Sequence, residues 1–122
     1  METRQATAIF EALSADVRLD LFRLLVKYAP GGLVAGEIAK RLNVTNTNLS
    51  FHLKELLYAG LVTMEKEGRF LRYRANIPAM LDTIAYLTEE CCSGHPDQCR
   101  GYRAASSVSL ATLPECGSAE QK

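Results

Sequence analysis

Four cysteines, Cys91, Cys92, Cys99 and Cys116, all fall in the last third of the chain. Three of them stand within the string ECCSGHPDQC, Glu90 to Cys99, together with His95. Thiolates are soft ligands and good nucleophiles, so such a cluster suits capture of a soft metal ion or reversible thiol oxidation. The chain opens with no charged-then-apolar leader, and no run approaches the roughly 18 apolar residues of a membrane span. A cytoplasmic protein with no membrane attachment is therefore expected, in a reducing compartment where a disulfide framework is not. Cys91, Cys92, His95 and Cys99 could make a Cys₃His zinc site, but adjacent cysteines suit zinc poorly, whose cysteine pairs usually stand about two to four residues apart. Cys116 stands alone and reads as a dispensable reduced thiol.

A second group of residues suits a different chemistry. A helix capped by Thr45 or Asn46 and running to about Tyr58 places Leu49, Leu53, Leu56 and Leu57 on one face. Asn46, Thr47, Asn48, Ser50, Phe51, His52 and Lys54 are spread over the rest. Asn46 and Asn48 can pair with adenine edges, Thr47 and Ser50 can reach bases or phosphates, and His52 and Lys54 suit phosphate. A hairpin follows, with Lys66 and Arg69 either side of its turn and Arg72 and Arg74 on the return strand, placed to neutralise phosphates beside a groove. The chain carries no net charge, but residues 34–75 hold seven Lys/Arg against four Asp/Glu, and residues 76–122 hold three against six. The candidate DNA-contacting set is thus Thr45, Asn46, Thr47, Asn48, Ser50, His52, Lys54, Lys66, Arg69 and Arg72.

The elements that must position these residues are legible as periodicities. Ala6, Ile9, Phe10 and Leu13 make a first helical stripe. Ser14 is an N-cap candidate for a second helix, Val17 to Tyr28, which Pro30, Gly31 and Gly32 stop. A short third helix spans about Val34 to Leu42, with Ile38 and Leu42 inward. Gly60 ends the fourth. From Leu61 to Ala75 the period falls to two: Val62 and Met64 alternate with polar neighbours, Glu67-Gly68 is the turn pair, and Leu71 and Tyr73 alternate on the return. Asn76 and Pro78 then open a last helix whose stripe, Ile77, Met80, Leu81, Ile84, Ala85 and Leu87, is wide enough to serve both a core and a second subunit. A mainly α fold with a β-hairpin results, the winged helix-turn-helix arrangement, in which the second helix of the pair enters the major groove. Residues 1–90 are expected to form the DNA-binding and dimerisation domain, and residues 91–122, rich in Ser, Gly, Ala and Pro, a mobile cysteine-bearing tail.

Ser14–Leu25 (SADVRLDLFRLL), Gly36–Val44 (GEIAKRLNV), Asn48–Val62 (NLSFHLKELLYAGLV) and Glu67–Tyr73 (EGRFLRY) resemble the arsenical-resistance repressor family of metalloregulators over about residues 5–92. The resemblance implies a homodimer joined through its first and last helices, which represses from operator double-stranded DNA until a metalloid binds. Two sensor sites of that family are absent. Val34 and Gly36 occupy the positions of a Cys-Val-Cys motif, and Asp82 is followed two residues later by Ile84 where an Asp-x-His pair would stand. The ECCSGHPDQC string resembles the branch in which a vicinal cysteine pair joins a third, downstream cysteine. That implies a ligand set of Cys91, Cys92 and Cys99 for trivalent arsenic or antimony as inducer. Another soft metal, or thiol oxidation, is the alternative signal. No catalytic cofactor is expected. A thiol enzyme has little to build on: no anion loop flanks a cysteine, and the histidines are His52 and His95 alone.

Overall fold

The computed structural model describes residues 1–90 and 95–108. Within them the element order is α1 Thr3–Ala12, α2 Asp16–Lys27, β1 Leu33–Val34, α3 Ala35–Leu42, α4 Asn46–Tyr58, β2 Val62–Glu67, β3 Phe70–Ala75, α5 Ile77–Thr88 and α6 Pro96–Ala105. Glu2–Met80 makes one compact unit, and the described residues from Leu81 onward, with Met1, make another.

In the first unit the apolar stripes converge on one core. Leu21 and Leu25 of α2, Ile38 of α3 and Leu56 of α4 are wholly buried, with Ile9, Phe22, Leu49, Leu53, Leu61, Val62 and Tyr73 beside them. Full burial of a side chain of this size is worth about 1.5–3 kcal/mol, so these residues fix the relative positions of α2, α3, α4 and the sheet. The N-cap of α2 is Ala15, in extended backbone, and not the expected Ser14. The backbone N–H of Ser14 instead donates to the Glu11 carbonyl at the end of α1. The acidic first turn, Asp16, supplies the favourable charge at the helix start.

The third helix begins one residue later than expected, because Leu33–Val34 is a strand. β1 pairs antiparallel with β3, Leu33 opposite Tyr73 and Val34 opposite Arg72, giving a three-stranded sheet of order β1-β3-β2 in place of the expected two-stranded hairpin. Gly32 makes this pairing possible. Its φ is +73°, and a Cβ there would run into the Tyr73 carbonyl oxygen and come within 2.7 Å of Arg74 Cγ.

The β2–β3 register runs from Val62 opposite Ala75 to Glu67 opposite Phe70, so the loop residues are Gly68 and Arg69, one position beyond the expected turn pair. Gly68 has φ +62°, which a first loop residue of a tight hairpin takes readily only as glycine. Met64, which alternates with polar neighbours as Val62 does, is 49% exposed, because the hairpin extends past the edge of the core. Asn76 caps α5 as expected, its Oδ1 accepting from the Ala79 N–H at 3.3 Å, while its Nδ2 donates to the Gly60 carbonyl at 2.8 Å.

In the second unit, Pro96–Ala105 is a helix where the composition predicts a tail with little periodicity. Pro96 is pre-set for a first helical turn, Asp97 sits in that turn and Arg103 in the last, so the ends are favoured by backbone and charge and not by an apolar stripe. Thr83 of α5 and Cys99 of α6 are buried.

Candidate nucleic-acid interface

α3 and α4 meet through a tight turn. Asn43 takes the left-handed conformation (φ 55°, ψ 49°), and the Val44 N–H donates back to the Ala39 carbonyl at 3.1 Å. Asparagine tolerates that geometry better than other residues with a Cβ. Thr45 is the cap: its Oγ1 accepts from the Asn48 N–H at 3.2 Å, so this hydroxyl already serves the helix start. Asn46, Thr47, Asn48 and Ser50 are exposed, as is Lys54 one turn further on. Beneath them Leu49, Leu53 and Leu56 lock the helix into the core. The polar side chains are therefore presented from a rigid element.

His52 is placed differently from its neighbours. It is half-buried, with Nδ1 3.4 Å from Nη1 of Arg18 on α2, and Arg18 in turn donates from Nε to the Ala12 carbonyl at 2.6 Å. His52 thus ties α4 to α2 and to the end of α1. Phe51 does the opposite: an aromatic residue on the polar side of α4, it is 58% exposed. The sequence pattern assigns it no role, although its position opposite the Leu49, Leu53 and Leu56 stripe is a sufficient signal.

The four wing cations divide into two pairs. Arg72 Nε lies 2.9 Å from Glu67 Oε2, and its Nη1 donates to the carbonyls of Gly31 and Gly32 at 3.3 and 3.2 Å. Arg74 Nη1 lies 2.8 Å from Glu65 Oε1. These interactions join diagonal neighbours on one face of the ribbon, since Glu65 is opposite Arg72 and Thr63 opposite Arg74. Lys66, on the other face, and Arg69, in the loop, are exposed and form no ion pair among the described residues. At the wing's base Tyr73 is 6% exposed, and burial pushes its phenol above the usual 10.0.

Of the expected thiol set, Cys99 is 1% exposed, in the first turns of α6 after His95. Cys91 and Cys92 lie outside the described residues, as does Cys116. Among the described residues no three His, Cys, Asp or Glu side chains converge on one point.

Comparison with known proteins agrees with this geometry. Residues 13–65, which include the α3–α4 pair, match a family described as a helix-turn-helix domain. The chain is 28% identical over 89 residues to the transcriptional repressor SdpR of Bacillus subtilis (strain 168), covering 73% of this chain and 96% of that protein. It is 36% identical over 84 residues to the HTH-type transcriptional regulator YceK of the same organism, covering 62% of this chain and 82% of that one. Among solved structures it is similar to an ArsR-like transcriptional regulator from Rhodococcus sp. RHA1, with a TM-score of 0.62 and 28% identity over 86% of this chain and 96% of that one. With a helix-turn-helix pair, a wing bearing exposed cations and relatives that are regulators and not enzymes, the chain belongs to the HTH-type transcriptional regulators, and its winged fold is similar to that of an ArsR-like one.

Proposed function

We propose that the protein is a homodimeric repressor that holds operator DNA through α4 and the wing and releases it when trivalent arsenic or antimony binds Cys91, Cys92 and Cys99. One observation carries the DNA half. The N-terminal half of α4 exposes Asn46, Thr47, Asn48 and Ser50 from a helix whose other face is locked in the core. In this reading those four side chains meet base edges, while Lys54, Lys66 and Arg69 neutralise phosphates. Thr45 and His52 hold α4 in place, and Arg72 holds the wing to the loop before β1. Dimerisation is supported by apolar side chains left in water on two helices: Phe10 on α1, and Leu81 and Leu87 on α5.

The donor set supports the inducer. Three thiols match a trivalent metalloid hydroxide, each S–H proton leaving with one hydroxyl as water, with no change of oxidation state. Of these three thiols Cys99 lies within the described residues, buried in the first turns of α6. For release, the ligand must prefer the weakly binding conformation by the coupling free energy, typically about 1–3 kcal/mol.

The test is a titration of arsenite into protein bound to a duplex that it has selected from a random-sequence library. Wild type and Cys116→Ser should dissociate together, while Cys91→Ser, Cys92→Ser and Cys99→Ser stay bound. Release of all forms at one arsenite concentration would remove the thiol site. Release by zinc or peroxide in place of arsenite would establish the alternative signal.

A further inference from the structure

We propose that Phe51 reads the C5 methyl group of a thymine in the major groove, which rests on the DNA-binding reading above and adds a specificity determinant to it. At about 100° per residue, Phe51 lies opposite the stripe formed by Leu49, Leu53 and Leu56, at the outermost ridge of α4. Thr47 stands one turn before it on that ridge and Lys54 nearly one turn after. The ring contributes little to the core, being 58% exposed. It is also held in a definite pose: its edge meets the His52 ring at 5.5 Å between centroids and 75° between planes. His52 is itself braced by Arg18. The aromatic group is thus directed outward from the middle of a polar, hydrogen-bonding surface.

An apolar group at the centre of a base-reading face needs an apolar partner there. The major-groove edges of the base pairs offer donors and acceptors, and one methyl group, that of thymine. Adenine, guanine and cytosine edges would each lose water from a polar atom against the ring without regaining a hydrogen bond. The polar residues around Phe51 argue for DNA and against an apolar protein surface as the occupant, because the latter would leave Thr47, Asn48 and Lys54 desolvated without partners.

The experiment uses the full chain and a duplex that the wild type selects from a random library. Each thymine is then replaced singly by deoxyuridine, which removes the methyl group alone. At one thymine per half-site, wild type should lose affinity about fourfold, the worth of one methyl-sized group taken out of water. Phe51→Ala should bind the thymine and uracil duplexes equally and melt at the wild-type temperature, since the ring is outside the core. Equal wild-type binding to every uracil duplex overturns the proposal and leaves the DNA-binding reading intact. So does a thymine preference that persists in Phe51→Ala. Failure to enrich any duplex overturns both.

Discussion

Replacing Arg69 with alanine should change the salt dependence of DNA binding, and replacing Arg72 should not. Arg69 sits in the hairpin loop with no carboxylate partner among the described residues, whereas Arg72 is held by Glu67 and two backbone carbonyls. Each phosphate neutralised contributes a slope of about −0.9 to log K against log salt. Without the Arg69 guanidinium at a phosphate in either subunit of a dimer, the slope becomes shallower by about 1.8. Between about 50 and 200 mM salt, the advantage of wild type over Arg69→Ala should shrink about twelvefold. The control is the double variant Glu67→Ala with Arg72→Ala, which keeps the wing's net charge. It should retain the wild-type slope while losing about 0.5–1.5 kcal/mol of stability from the broken hydrogen bonds. Fluorescence anisotropy across a salt series gives both slopes, and a denaturant melt gives the stability. A double variant whose slope falls as far as that of Arg69→Ala would refute the division of the wing cations, showing that Arg72 leaves Glu67 for a phosphate on binding.

Three further outcomes test the scaffold. Gly32→Ala should lower stability by more than about 2 kcal/mol, combining the cost of a left-handed non-glycine residue with separation of β1 from β3, and circular dichroism melts would show it. Leu53→Ala, at a position 2% exposed, should cost about 2–5 kcal/mol in a urea titration with little change in slope. Because burial raises the Tyr73 phenol pKa, its contribution is intact below the unfolded value near 10 and is lost as pH rises toward the folded value; Tyr73→Phe should therefore flatten the alkaline fall in Tm.

The features that sequence made plain were those with strong local periodicity or unusual backbone chemistry: the Leu49–Leu56 stripe, the Thr45 cap, the Gly60 stop and the Asn76 cap. Those it concealed depended on partners distant in the chain. Leu33–Val34 is too short to show alternation and is a strand only because β3 lies alongside it. Ser14 has the better capping chemistry than Ala15, but the end of α1 holds its N–H. The α6 helix lacks an apolar stripe, so periodicity could not reveal it. Arg72 and Arg69 are indistinguishable as letters; only the register of the ribbon shows that one faces Glu67 and the other does not.

The strand β1 gives way to α3 with no intervening loop, Val34 being followed at once by Ala35. Through its pairing with β3, the wing is therefore bolted to the helix that braces α4. The two parts proposed to grip DNA form a fixed caliper and not a pair of independent fingers. A caliper gauges width as well as lettering, so base pairs that neither jaw touches should still affect affinity, through the groove dimensions they impose.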